Sequence, residues 1–325
     1  MLFVDNTQTD PHLNLALEEY LLRHAATDQP LLLFYINQPA VIIGRNQNTL
    51  EEIDPDFIKA NGIHVVRRLS GGGAVFHDLG NLNFSFITPS RQDLHNFVKF
   101  TEPVVAVLRQ LGVAAELRGK SDIFAEGKKI SGNAQYVTQQ RMFSHGTLLF
   151  DTDIPTMLKA LNPRQAVIES RAVQSVRNFV VNIRELLAKD MDILTFRQTL
   201  LDGIFGGGPV ATYELDAAAW AGVEKLADER YRTWAWNYGR SPQFNVRHQK
   251  DLPGGKVDVR FQVENGRILS CKIYGNFSGR QPIAELEARL TGLRYDRDSL
   301  IDTLTQIELS QYLGDIETAA FLAIF

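Results

Sequence analysis

The chain opens on a helical pattern. Asp10-Pro11 supplies a capping side chain with proline at the first helical position, and Leu13, Leu17, Tyr20, Leu21 and Leu22 then recur at helical spacing. Apolar runs at Leu31–Ile36 and Ala40–Ile43 read as strands joined by Asn37-Gln38-Pro39. Asp54 opens a short helix that ends near Asn61-Gly62. His64–Arg68 and Gly73–His77 read as strands around a triple glycine. Asn81–Thr88 alternates Leu82, Phe84 and Phe86 on one face, the pattern of a half-buried strand. Asp93–Leu111 predicts a long amphipathic helix stopped by Gly112. Asp122–Glu126 and Lys128–Gln135 predict a hairpin turning at Gly127, followed by a strand at Phe143–Phe150. Helices are expected at Ile154–Leu161, Asn182–Lys189, Thr195–Phe205 and Ala217–Trp234.

The pattern then changes. Phe244–Tyr274 reads as two or three strands with turns at Pro253-Gly254-Gly255 and Asn265-Gly266, and three short helical stretches follow from Ile283. We therefore expect an α+β protein with two domains, 1–243 and 244–325, linked by the short glycine-containing stretch Gly239–Pro242. A chain of 325 residues has room for both cores.

Charge narrows the partners. Up to Val246 there are 24 Lys+Arg against 27 Asp+Glu, and beyond it 10 against 11, so neither part carries the excess of cations that a nucleic-acid backbone demands. The longest apolar runs are far shorter than a membrane span, and no basic-then-apolar leader opens the chain. One cysteine, Cys271, excludes an intrachain disulfide and fits a reducing, cytoplasmic setting.

The chemistry concentrates in two segments. Arg67 to Asp78 contains Ser70-Gly71-Gly72-Gly73 between arginines and His77. Glycines let backbone N–H groups approach an anion closely, but a triple glycine is also an ordinary hairpin turn. It lies between two strands and lacks a following Lys-Ser/Thr, which rules out a Walker loop and a dinucleotide fingerprint. In Gly127 to Gln135, Lys129, Ser131 and Asn133 are expected on one strand face with Ile130 on the other. Such a lysine is either solvated or placed to hold an anion. Together the two segments suggest a phosphate held beside a small carboxylate. His77 and His145 suit structural hydrogen bonds as well as chemistry, and no His/Cys/Asp cluster has zinc spacing.

At these residues the chain closely resembles the lipoate–protein ligase family in its longer form, with a C-terminal accessory domain. The resemblance is carried by Asn14 to Glu19, Val41 to Asn48, Arg67 to Asp78 with Gly80-Asn81, Ser121-Asp122-Ile123, Lys128 to Ala134, His145 to Leu149, Ser175-Val176-Arg177 and Trp236 to Gly239. Two departures are mild: Lys120 before Ser121-Asp122, and Asn133 in place of a common serine.

The resemblance implies a large domain with a mixed β-sheet of the biotin/lipoate ligase type and a smaller α+β accessory domain. It implies ATP and Mg²⁺ as cofactors and lipoate as substrate. Lipoate would attack the α-phosphate of ATP, and the lipoyl group of lipoyl-AMP would pass to a lysine of a lipoyl domain, on a 2-oxoacid dehydrogenase E2 subunit or the glycine cleavage H protein. A monomer is expected. By resemblance Lys129 is the essential lysine. Arg68, Ser70, Gly71, Gly72, Gly73, Ala74, Val75, Phe76, His77, Asp78, Asn81, Asp122, Gly132 and Ala134 join it in holding ATP or lipoyl-AMP, with Asp122 as a Mg²⁺ ligand. Leu17, Val41, Ile43, Gly44, Arg45, Val75, His145 and Gly146 are expected to line the lipoate slot, and Ser175–Val180 to close over the intermediate.

Three rivals stay open. An octanoyl- or lipoyl-transferase of the same superfamily needs a cysteine nucleophile, and Cys271 lies in a predicted accessory-domain strand. A biotin ligase lacks its Gly-Arg-Gly-Arg-x-Gly loop here. An intact Lys129 argues against the third, a catalytically silent lipoate carrier or regulator.

Overall fold

The computed structural model describes residues 1–325 except 46, 48, 120, 162–178, 240–243, 276 and 278. Lys120, the Ser175-Val176-Arg177 motif, most of the expected Ser175–Val180 cover and most of the Gly239–Pro242 linker lie outside the described residues. Two compact units are present, 1–45 with 51–233 and 46–50 with 234–325, so the division falls between Thr233 and Trp234, ahead of the expected 243/244.

In the first unit, helix α1 (Pro11–His24) begins as the sequence dictates, with the Asp10 side chain accepting from His12 N. The unit's described residues form ten strands, of which β1 and β7 were not expected: β1 (Leu2–Val4), β2 (Leu31–Ile36), β3 (Ala40–Ile43), β4 (His64–Arg67), β5 (Val75–His77), β6 (Asn81–Thr88), β7 (Ala115–Arg118), β8 (Asp122–Ala125), β9 (Lys128–Val137) and β10 (Met142–Leu149). They build a seven-stranded sheet, β1-β2-β6-β10-β9-β8-β7, and a three-stranded sheet, β4-β3-β5. Both are mixed: β1 runs parallel to β2 and β3 to β4, and the other pairs are antiparallel.

One face of the large sheet is apolar. Phe34, Leu82, Phe84, Phe86 and Leu148 cluster there with Val104 and Leu108 from the helix Phe97–Gln110 and with Phe196 and Leu200 from the helix Ile193–Ile204. Each fully buried side chain of this size contributes roughly 1.5–3 kcal/mol of burial. β6 is not half-buried as its alternation suggested. All eight of its residues are buried, including the polar set Asn81, Asn83 and Ser85. That second, polar face is the floor of the cleft described below.

Three helices end differently from expectation. The helix expected from Asp93 starts at Phe97, because His95 takes a left-handed backbone (φ 71°) and Asn96 caps Lys99 N. The helix expected at Asn182–Lys189 is only a 3₁₀ turn, Ile183–Leu186. The helix expected to run to Trp234 stops at Leu226, and Ala227–Tyr231 widens into a π turn. That turn coincides with Arg230 and Tyr231 both reaching the buried Glu19 of α1, the Tyr231 hydroxyl donating at 2.8 Å.

The second unit is an antiparallel meander, β11 (Phe244–Leu252), β12 (Gly255–Glu264) and β13 (Arg267–Gly275), with four short helices where three were expected. Val257, Phe261, Ile273, Leu286, Leu290 and Leu304 form its core. Cys271 lies in that core, and burial pushes its thiol up to about 12.

Candidate active site

The floor of the cleft follows from register. Tyr35 on β2 is opposite Asn83 on β6, which is opposite Thr147 on β10, and Gly132 N on β9 donates to Thr147 Oγ1 at 3.4 Å. Side chains that share a register row share a face. Three strand intervals of about 4.8 Å make this floor roughly 14 Å across. The small sheet supplies an opposing wall through Ile42 and Val75, which are register partners on β3 and β5, and α1 adds Leu15. The enclosed volume is about 260 Å³.

The glycine loop is shaped by Arg68. Its guanidinium is buried and donates to Ser70 Oγ (3.0 Å), Ile42 O (3.0 Å), Gly71 O (2.6 Å) and Gly73 O (2.8 Å). Burial pulls it down to about 10, and the Tyr35 and Glu18 acids oppose that shift. It therefore stays charged at neutral pH. Gly72 turns with φ +93° directly against this guanidinium, and a Cβ there would lie 3.0 Å from Nη2. Only glycine combines that backbone with that approach. Arg67, fully buried, ties the loop to β3 by donating to Gly44 O and Arg45 O at 2.9 and 3.1 Å, and Arg45 N donates to Ser70 O at 2.9 Å.

Ser70 also joins α1 to the floor. The Glu18 carboxylate accepts from His145 Nδ1 at 2.9 and 3.1 Å, and His145 Nε2 shares a hydrogen bond with the Ser70 hydroxyl at 2.7 Å. All three side chains are buried.

Lys129 stands at the other end of the floor. Its Nζ donates to Asp122 Oδ2 at 2.9 Å, with both side chains about a third exposed (39% and 34%). It lies over Gly132, where a Cβ would come within 3.3 Å of Nζ. The expected alternation through Ser131 and Asn133 is broken. The register of β8 on β9 slips between Ile123 and Phe124, so that Ile123 faces Ser131 and Phe124 faces Lys129. Ile130 is the extra residue of this bulge. Lys129 consequently lines the cleft with Gly132, Asn133 and Ala134, while Ser131 is buried and is not a lining residue. Lys129 is also fixed on its outer side, its N donating to Phe179 O at 2.8 Å and its O accepting from Val181 N at 3.3 Å.

The family model described as the lipoyl protein ligase A/B catalytic domain matches residues 10–205, and that described as the bacterial lipoate protein ligase C-terminus matches 241–325. The chain belongs to the lipoate–protein ligase family. It is 50% identical over 327 residues to the lipoate-protein ligase LplJ of Bacillus subtilis (strain 168), covering 99% of each chain. Among solved structures it is similar to the bi-partite lipoate protein ligase of Thermoplasma acidophilum, described with its E2 lipoyl domain (TM-score 0.67, 30% identity, 75% of this chain and 97% of that one). It is also similar to a lipoate-protein ligase A bound with ATP (TM-score 0.63, 32% identity, 74% of this chain and 98% of that one).

Within this ligase fold, many of the residues expected at the site do meet. Arg68, Gly72, Gly73, Ala74, Val75, His77, Asp122, Lys129, Gly132, Ala134, His145 and Gly146 line one cleft. Others support it from behind. Ser70 and Gly71 bind Arg68, and Gly44 and Arg45 receive Arg67 through their carbonyls. Asp78 clamps the turn, accepting from Gly80 N (2.9 Å) and Asp153 N (2.8 Å), and burial raises its pKa. Asn81 Nδ2 donates to Asn83 Oδ1 at 3.0 Å, and Phe76 is buried in the interior.

The cleft is lined one residue away from expectation in β3 and two away in α1. Val41, Ile43 and Leu17 are buried away from the cleft, and Ile42 and Leu15 face it instead. A strand reverses its face with every residue, so a shift of one exchanges the whole set. Tyr35, Asn83, Ser121, Asn133 and Thr147 also line the cleft without having been expected as lining. The alternating Asn81, Asn83 and Ser85 in an otherwise apolar strand were the readable signal for Asn83.

Proposed function

We propose that this ligase activates lipoate with ATP to lipoyl-AMP and transfers the lipoyl group to one lysine of a lipoyl domain. The unit of 1–45 with 51–233 would form the catalytic domain and that of 46–50 with 234–325 an accessory domain. One observation carries the reading. Among the described lining residues the two cations are Arg68 and Lys129, and Arg68 spends its donors on the glycine loop. Lys129 is therefore the cation offered to a ligand, at one end of a slot that reaches across four strands.

The first step brings two anions together. A carboxylate oxygen of lipoate bonds to the α-phosphorus of ATP as the bond to pyrophosphate breaks. Lys129 Nζ sits between them and lowers their repulsion, and charge developing on the phosphorus oxygens strengthens that contact in the transition state. Asp122 aims the ammonium before substrate arrives. It is also the one carboxylate among the described lining residues. A single carboxylate together with phosphate oxygens and water is a common Mg²⁺ environment, so Asp122 would hold Mg²⁺, which would screen the phosphate charge. The acyl chain lies between Leu15, Ile42 and Val75, with roughly 0.8 kcal/mol gained per buried CH₂.

In the second step the acceptor amine bonds to the acyl carbon, AMP leaves, and the amine gives up a proton. A free lysine is only about 0.1% neutral at pH 7.4. We assign that proton to the departing AMP phosphate.

The acceptors are expected to be E2 lipoyl domains and the glycine cleavage H protein, and the enzyme is expected to act as a cytoplasmic monomer. No described helix is long and apolar enough to cross a membrane. The test is intact mass spectrometry of separate E2 and H-protein acceptors after incubation with the enzyme, ATP, Mg²⁺ and lipoate. A gain of one lipoyl group on the acceptor lysine, dependent on ATP, is the expected result. Acyl transfer from an octanoyl carrier protein without ATP would instead mark a transferase. The buried, neutral thiol of Cys271 is poorly suited to be that enzyme's nucleophile.

A further inference from the structure

The end of the slot remote from Lys129 contains a buried donor with no partner among the described residues. His77, at the end of β5, lines the cleft and is 3% exposed, and its Nε2 finds no hydrogen-bond partner among the described residues. It meets Asn37, two residues beyond Tyr35, so it lies at the β2 side of the floor, three strand intervals from the strand of Lys129.

A chain of amides sets the proton on this ring. Asn14 Nδ2 donates to the backbone carbonyls of Gln8 (3.1 Å) and Ile36 (3.2 Å), which can only accept, so the orientation of Asn14 is fixed. The same Nδ2 donates to Asn37 Oδ1 at 2.7 Å, so its two hydrogens are shared among three acceptors, and Asn6 Nδ2 donates to Asn14 Oδ1 at 2.8 Å. Asn37 must then turn its Nδ2 toward His77, donating to Nδ1 at 2.9 Å. Nδ1 is an acceptor, and the ring's one hydrogen is on Nε2. Burial, with Arg68 and His145 nearby, pushes the ring down to about 3, so it is a neutral donor throughout the physiological range. Asn6, Asn14 and Asn37 are all buried, so the tautomer is built into the core.

An unpaired donor in a buried site is costly and persists where a ligand satisfies it. The position limits the ligand group. The carboxylate end of the substrate is at Lys129 in the reading above, on which this inference rests, so His77 meets the distal end of the acyl chain. An alkyl terminus has nothing to offer an N–H. A dithiolane has sulfur, a weak acceptor. We infer that His77 Nε2–H donates to a ring sulfur of the acyl substrate and makes the slot prefer a dithiolane-tipped acid over a plain eight-carbon acid. His77 is thus a specificity residue rather than part of the nucleotide site.

The test compares lipoate with octanoate by calorimetric titration, which needs no turnover. Wild-type protein is expected to bind lipoate about tenfold more tightly, the modest ratio of a single weak hydrogen bond. In His77→Phe the lipoate-to-octanoate ratio is expected to fall toward one, and in His77→Gln, which keeps an N–H, to recover in part. An unchanged ratio in a folded His77→Phe overturns the inference, as does equal weakening of both acids. Wild-type protein labelled with ¹⁵N-histidine gives a measurement that does not rely on a variant. The His77 Nε2–H resonance should shift with saturating lipoate and stay put with octanoate, and the same shift with both acids overturns the inference. If wild-type protein binds both acids but never acylates a lipoyl domain, the ligase reading fails while the preference can still be read. Binding of neither acid contradicts both.

Discussion

Lys129→Ala is expected to lower lipoate-dependent pyrophosphate release by a factor of about 10²–10³ and to leave the fold intact. Removing a single charge-stabilising donor costs about 3–4 kcal/mol in the transition state. Here the loss is not shared by a neighbour, because Arg68 is committed to Ile42 O, Ser70 Oγ, Gly71 O and Gly73 O. The structural cost is small. Lys129 is about a third exposed, and its ion pair with Asp122 is of the kind worth 0–1 kcal/mol, roughly. Its backbone bonds to Phe179 and Val181 do not involve the side chain. Pyrophosphate release and urea unfolding of the same preparation separate the two effects. Wild-type release from Lys129→Ala would remove this residue from the mechanism.

Arg68→Ala is expected to fail in the opposite way, through structure first. The side chain is buried and joins the first residue after β4 to four acceptors, three of them carbonyls. Its removal strands those acceptors and opens a cavity beneath Gly72. A loss on the order of 3–5 kcal/mol in unfolding free energy is expected, the scale of breaking a buried charged network. ATP binding should vanish with the loop's shape, at a temperature where the rest of the first unit remains folded. Arg68→Lys should not rescue it, because an ammonium cannot span acceptors spread over a guanidinium fork. Urea unfolding monitored beside nucleotide titration makes the distinction. An Arg68→Ala protein of wild-type stability with normal ATP affinity would refute the role assigned here.

Much of the fold was readable because local signals agreed with it. Asp10-Pro11, Asp54-Pro55 and Asp153 each cap the helix they precede, and the apolar runs each became strands. What failed was information carried by partners. β2 and β3 are neighbours in sequence but join different sheets, which no alternation within either run reveals. The polar side of β6 reads as solvent-facing until a second sheet is known to face it. At the site, the residue types and their segments were legible, since Lys129, Asp122, His145 and the glycine loop do converge. The side on which strand residues point was less so. A bulge at Ile130 changed the face of β9, and the parity of β3 exchanged Ile42 for Val41 and Ile43. The tautomer of His77 was wholly hidden, because it depends on Asn6, Asn14 and Asn37, which lie 40 residues or more upstream.

The central claim is that a lipoate carboxylate oxygen attacks the α-phosphorus of ATP. Lipoate labelled with ¹⁸O in its carboxyl group tests this most directly. The enzyme is incubated with labelled lipoate, ATP, Mg²⁺ and a lipoyl domain, and the nucleotide and phosphate products are weighed by mass spectrometry. If the acyl-adenylate forms, the oxygen that bridged carbon and phosphorus leaves with the nucleotide, so each AMP carries one ¹⁸O and the pyrophosphate carries none. Unlabelled AMP, with ¹⁸O in inorganic phosphate or in neither product, would contradict the account.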